Sequence, residues 1–253
     1  MSHTPRPTLA YEDLGDPASP AVLLIHGFAG AARAHFTPLI AALSADYRIL
    51  APDLSGQGRS AHIPRQVDAH LHQHDADDLL ALLDHLRLDR VHLIGYSDGG
   101  EVAIILAGRL GVRARSLTAW GVSGRVPPAS VVAVYADPPR SIHSWPELEE
   151  ELDAMHGPGT ALPMLTSWAA AMEDLRAGGS AINDAEAARI VCPTLILAGD
   201  RDPFNPLEAT QALVARIPGA RLVTLPGAGH DLLEERQAQV IALARRMLNG
   251  GVA

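Results

Sequence analysis

One serine in this chain stands where its neighbours would make it a nucleophile. Residues 95–100 read GYSDGG and follow the apolar run VHLI. Gly95-Tyr96-Ser97-Asp98-Gly99 is a G-x-S-x-G pentapeptide between a predicted strand and a predicted helix, EVAIILAGRL. At such a junction the serine occupies a sharp turn that small flanking residues permit. The helix N-terminus behind it offers free N–H groups and partial positive charge to a developing oxyanion. A serine hydroxyl also needs a base, and the base needs an acid to orient it. The segment GDRDPFNP supplies two competing carboxylates, Asp200 and Asp202, and PGAGHDLLEE supplies His230 on a glycine-rich loop. Serine, acid and histidine come in that order, each just past a predicted strand, which brings three distant residues to one sheet edge. The chemistry this implies is acyl transfer through an acyl-serine.

The strands that must carry these residues are short apolar runs: AVLLIHG (21–27), YRILAPD (47–53), VHLIGY (91–96), SLTAWGV (116–122), TLILAG (194–199) and ARLVTL (220–225). Near-continuous apolar strands belong in a parallel sheet covered on both faces. Between them, Leu79, Leu82, Leu83 and Leu86 repeat at helical spacing, as do Leu233, Val240, Leu243 and Met247 near the end. The alternation predicts an α/β fold with a mostly parallel central sheet flanked by helices and ligands outside the carboxyl ends of the strands. The strand pattern lapses between about residues 124 and 189, where PELEEELDAMHG and LPMLTSWAAAMEDL look helical. We therefore expect a core of residues 1–123 and 190–253 with a small helical cap inserted at 124–189. The cap carries Trp145, Trp168, Met155, Met164 and Met172, an apolar set suited to lining a pocket or to packing cap on core.

Composition excludes several classes. All 20 basic residues are arginine, so Schiff-base chemistry, a serine–lysine dyad and a P-loop lysine are absent. The net charge of -9 opposes binding to nucleic acid or anionic membrane, so a small-molecule substrate is the expected partner. The single cysteine, Cys192, can form neither an intrachain disulfide nor a cysteine-cluster metal site. MSHTPRPTLA is polar, and no apolar run approaches the roughly 18 residues of a membrane span, so a cytoplasmic protein is expected. No metal or other cofactor is called for. The run HLHQHD holds His70, His72 and His74, but residues two apart on a helix diverge, so only His70 and His74 could converge. That run and the neighbouring Asp75, Asp77 and Asp78 read as a solvated helix face. GQGRS lacks the lysine and spacing of a phosphate loop and reads as a turn.

With these motifs in hand the chain resembles the α/β-hydrolase family over nearly its whole length. The family's His-Gly loop is matched by His26-Gly27-Phe28, and its D-x-x-G-x-G-x-S loop by residues 53–60, DLSGQGRS. Its G-x-x-D acid motif matches Gly199-Asp200-Arg201-Asp202, which favours Asp202 over Asp200. The resemblance implies a serine hydrolase with Ser97, Asp202 and His230 as triad and the backbone N–H groups of Phe28 and Asp98 as oxyanion hole. Such donors supply roughly 3 to 4 kcal/mol each of transition-state stabilisation. It also implies that His26 braces its loop. Phe28, Tyr96, Trp145, Trp168 and Met164 are the expected lining of the substrate pocket. About 20 residues precede the first core strand, so the family's opening hairpin is expected to be shortened or reduced to TLAYEDLG.

Asp98 is the unusual feature. A carboxylate in a helix's first turn is stabilised by about 0.3 to 1 kcal/mol with no function required. This one faces a reaction that builds negative charge, so its side chain should turn sideways and find a cation, an arginine or water. The GYSDGG form is similar to that of the valacyclovir hydrolase branch of the family, in which the resemblance implies that this carboxylate receives a substrate's α-ammonium. The expected activity is carboxylic ester hydrolysis with a preference for α-amino-acid esters. Carbon–carbon bond hydrolysis or acyl transfer to peroxide or another acceptor would use the same triad, and a non-catalytic small-molecule binder is the remaining alternative.

Overall fold

The computed structural model describes residues 9–137 and 147–251. Seven strands form one sheet: β1 (Tyr11–Leu14), β2 (Ala21–Ile25), β3 (Arg48–Pro52), β4 (Val91–Tyr96), β5 (Ala114–Trp120), β6 (Thr194–Gly199) and β7 (Arg221–Leu225), in the order β1-β3-β2-β4-β5-β6-β7. All six predicted runs are strands. Every pairing is parallel except β1 with β3, where Tyr11 lies opposite Pro52. Among the described residues the opening hairpin is represented by this one antiparallel strand, within TLAYEDLG. The central strands β2, β4 and β6 are buried throughout, as near-continuous apolar runs require.

Alternate residues of β2 enter opposite layers. Leu23 and Ile25 join Leu79 and Leu83 of α2 (Leu71–His85) and the apolar residues of α3 (Asp98–Leu110) on one face. Val22 and Leu24 join Phe36, Leu39 and Leu43 of α1 (Ala32–Leu43) on the other. Burying each such side chain contributes about 1.5 to 3 kcal/mol. Four described helices fall between β5 and β6: α4 (Ala129–Ala136), α5 (Leu148–His156), α6 (Ala161–Ala177) and the single turn α7 (Asp184–Ala187). Trp168, Met172 and Leu175 of α6 pack with Val132 of α4 and with Leu71 at the start of α2. After β6 come α8 (Leu207–Val214), α9 (Leu232–Glu235) and α10 (Gln237–Leu248). The apolar spacing from Leu233 to Met247 reads as one helix, but Arg236, at φ -138 and ψ 39, interrupts it. Among the described residues no helix is long and apolar enough to cross a membrane.

The first turn of α3 presses directly against the end of β2. A Cβ on Gly99 would lie 2.2 Å from the carbonyl oxygens of Ile25 and His26, so only glycine lets helix and strand close to this distance. Gly99→Ala should cost about 3 kcal/mol, lowering the melting temperature by roughly 6 to 12 °C in a thermal scan.

Candidate active site

Ser97 ends the β4 turn in a backbone conformation that side-chain-bearing residues avoid, with φ 56 and ψ -129. Three backbone hydrogen bonds hold it: Ser97 N–H donates to Trp120 O at 2.9 Å, and its carbonyl accepts from Gly100 and Glu101 N–H at 2.7 and 3.0 Å. The turn lifts Oγ clear of the sheet.

His230 meets it there. Its Nε2 lies 3.0 Å from Ser97 Oγ, and its Nδ1 lies 2.9 Å from Asp202 Oδ2. The imidazole is stacked on Phe204 at 4.5 Å and tilted against Tyr96 at 5.3 Å. Gly121, at φ +64, makes room for it, since a Cβ there would sit 2.8 Å from His230 Cε1. The Asp202 side chain is buried and is oriented by the N–H groups of Phe204 and Asn205 on its Oδ1 at 2.8 and 3.1 Å. The competing carboxylate, Asp200, instead accepts the Gly227 N–H at the surface. The three residues met at strand ends are thus in one hydrogen-bonded line.

The His-Gly loop beside them is built by histidines held neutral. His26 Nε2 accepts the Leu54 N–H at 2.9 Å, so its proton is on Nδ1, which donates to Gly27 O at 2.8 Å. Burial, and then the charge of His35, lower its pKa to about 3. His26 therefore braces two loops. His35 Nδ1 accepts the Gly27 N–H at 3.1 Å, and burial, then His230 and His156, lower its pKa to about 4. With Gly27 occupied, the loop's next N–H, that of Phe28, is the candidate oxyanion donor. Asp98 N–H opens α3, where first-turn N–H groups lack an intrahelical acceptor. His156 of α5 ties the inserted helices to this frame: Nδ1 accepts the Gly58 N–H at 2.8 Å, and Nε2 lies 3.2 Å from Ala29 O. Asp53 closes the arrangement, accepting from Ala32 N–H at 2.9 Å and from Arg59 Nε at 2.7 Å.

Asp98 turns its carboxylate away from the triad into a buried polar cluster. Oδ2 accepts the Trp168 Nε1–H at 2.7 Å, and Oδ1 lies 3.4 Å from His72 Nε2, an off-line approach that makes an ion pair without a formed hydrogen bond. Burial alone would raise the Asp98 pKa, but His72, then Arg65 and Trp168, hold it below the ordinary carboxylate value. His72 is fully buried, and so is Asp75, which pairs with Arg65 Nη2 at 2.6 Å. The solvated-face reading therefore fails for His72 and Asp75, because α2 turns that side toward α3. It describes exposed His70 and half-exposed His74, which pairs with Asp68. One turn beyond Asp98, Glu101 accepts the N–H groups of Ser123 and Gly124 at 2.9 and 2.8 Å and the amide of Asn183. Burial raises Glu101 to about 7 against the pull of those donors.

The cavity above Ser97 measures about 140 Å³ and is lined by Phe28, Tyr96, Asp98, Glu101, Trp168 and His230 among others. Phe28 stacks on Trp168 at 4.8 Å, and the two rings also bound a second cavity of about 520 Å³. Met164 lines that second cavity, not the one above Ser97, because its turn of α6 faces Gln57 and Val67. Trp145 lies outside the described residues. Sequence reasoning missed Tyr135 and Phe204, which also line the Ser97 cavity, and the roles of His35, His72, Glu101 and His156. Only Glu101 carried a signal, since a carboxylate three residues after Asp98 must share its helix face.

Comparison with known proteins agrees with this geometry. Residues 22–243 match the Alpha/beta hydrolase family. The chain is 26% identical over 231 residues to the mouse (Mus musculus) protein Serine hydrolase BPHL, covering 88% of this chain and 77% of that one. It is similar in structure to 2-hydroxy-6-oxo-6-phenylhexa-2,4-dienoate hydrolase (BphD) of Rhodococcus sp. strain RHA1, with a TM-score of 0.78, 27% identity, and 97% and 96% of the two chains covered. A thermophilic esterase from Thermogutta terrifontis matches with a TM-score of 0.72 and 27% identity, covering 97% and 94%.

Trp168→Phe keeps an aromatic ring on Phe28 but removes the donor to Asp98 together with part of the buried indole. A hydrogen bond to a charged group is worth about 1.5 to 3 kcal/mol and the vacated volume adds to the loss, so urea titration should show the midpoint falling by the equivalent of at least about 1.5 kcal/mol with the slope unchanged.

Proposed function

This chain is a hydrolase belonging to the alpha/beta hydrolase family, and from that premise we propose that it hydrolyses carboxylic esters of small molecules through an acyl-serine. The observation that carries the reading is the line Asp202–His230–Ser97 ending on a strained turn, with bonds of 2.9 and 3.0 Å. His230 Nε2 takes the Ser97 proton as Oγ attacks the ester carbonyl. Asp202 keeps the other imidazole proton on Nδ1 and stabilises the imidazolium. The Phe28 and Asp98 N–H groups receive the oxyanion. On collapse, His230 returns the proton to the departing alcohol and then deprotonates the water that releases the acid. The inserted helices serve as a cap over this site.

The cavity of about 140 Å³ suits a small acyl group, about the size that holds benzene. The Asp98 carboxylate in its wall favours an acyl group bearing an α-ammonium, in keeping with the GYSDGG resemblance. Similarity to a hydrolase named for 2-hydroxy-6-oxo-6-phenylhexa-2,4-dienoate, a keto acid with no ester bond, favours a second reading, in which the bond cleaved beside the carbonyl is carbon–carbon and the leaving fragment is protonated at carbon instead of departing as an alcohol.

A fluorophosphonate probe should label Ser97 and leave Ser97→Ala unlabelled; an unlabelled native enzyme removes the nucleophile from the reading. For the acyl group, the ratio of kcat/KM for an α-amino ester over its des-amino analogue is the diagnostic. Asp98→Asn, which keeps an acceptor for Trp168, should lower it roughly 10- to 150-fold. An unchanged ratio would leave Asp98 as a helix-capping residue.

A further inference from the structure

We infer that His72 is the specificity-determining partner of Asp98: it is a standing counter-cation that any ammonium-bearing substrate must displace electrostatically. This rests on the reading of Asp98 as the ammonium site. His72 does not line the cavity and acts only through Asp98, so it is a positioning residue.

The geometry is one-sided. His72 projects from α2 with no exposed surface, and neither ring nitrogen makes a hydrogen bond to a described residue. Among the described residues its one close polar relation is the 3.4 Å approach of Nε2 to Asp98 Oδ1. The charged groups around it are Asp98 and Glu101 from α3, Asp75 from its own helix, and Arg65 from the preceding loop. Arg65 is committed to Asp75, and α6 contributes only the neutral Trp168 donor. Two ion pairs, Arg65–Asp75 and His72–Asp98, therefore fill the cluster before substrate arrives. Burial would discharge the imidazole, but Asp98, then Glu101 and Asp75, outweigh it and raise its pKa.

An α-ammonium reaching Asp98 places a second cation on one buried carboxylate. The cluster returns to its former charge when His72 gives its proton to solvent. Discrimination for the cationic substrate is therefore weak while His72 is protonated and grows as pH rises and the ring discharges. A neutral substrate is indifferent to this exchange.

The test is the same kcat/KM ratio, amino over des-amino ester, measured on the full chain between about pH 5.5 and 7.0, where a substrate amine of pKa near 7.7 to 8.0 stays mostly protonated. The ratio cancels any loss of folded enzyme and any titration of His230 common to both substrates. In the native enzyme it should rise at least about threefold across the range. His72→Gln should hold it flat and about tenfold above the native value at the acid end. His72→Asn serves as the second variant if His72→Gln fails to fold, with the same expectation. Glu101 lines the cavity and titrates at the upper end of this range, so Glu101→Gln is the control for its own contribution, and the ratio should still rise with pH in it. A flat native ratio, a ratio at or below native in the His72 variants, or a flat ratio in Glu101→Gln overturns the inference. Asp98→Asn separates the two readings. If it leaves the ratio unchanged, the ammonium site itself is wrong; if it collapses the ratio while His72→Gln behaves as native, only His72 is.

Discussion

Ser97 holds a left-handed backbone conformation that costs a residue with a side chain about 1 to 3 kcal/mol, and every other part of the site depends on it. The conformation persists because its surroundings leave no alternative. Its N–H is taken by β5, its carbonyl is taken by the first turn of α3, and that turn is jammed against β2 at Gly99. One turn thus does three things at once. It raises Oγ toward His230, leaves the Asp98 N–H at the open end of α3, and sends the Asp98 and Glu101 side chains inward on one helix face. The parallel sheet is the support that makes the strain tolerable.

Around this turn the protein keeps charge balanced and protons fixed. His26 and His35 are held neutral by burial, so each has a defined donor and a defined acceptor and can brace the loop that carries Phe28. Asp75 is paired with Arg65 and Asp98 with His72, whereas Glu101 is held by neutral donors. A buried ion pair is weak evidence for stability, but breaking one leaves an unpaired buried charge and costs about 3 to 5 kcal/mol. The Arg65–Asp75 and His72–Asp98 pairs are therefore better understood as setting the electrostatics of one wall of the cavity than as holding the fold together.

The strands and the Ser97, Asp202 and His230 contacts were legible because their signals are local. Apolar runs mark strands whatever lies around them, and each triad residue sits directly after one. Choosing Asp202 over Asp200 needed the family's spacing, since both follow β6 within three residues. The cluster beneath Asp98 was not legible, because HLHQHD has the composition of a wet helix face and only the packing of α2 on α3 buries His72. Likewise nothing in the sequence marks His156 as the residue that crosses from α5 to the loop following His26-Gly27. The break at Arg236 interrupts an apolar spacing that continues unaltered through it.

The bridge made by His156 couples two parts of the structure that are far apart in the chain. Its ring joins α5 to Gly58 on one side and to Ala29, next to Phe28, on the other. The placement of α5 and the conformation of the loop at Ala29 are therefore not independent: neither can shift alone without losing a contact to the other. A substitution on α5 can in this way alter the wall of the cavity above Ser97 without touching it.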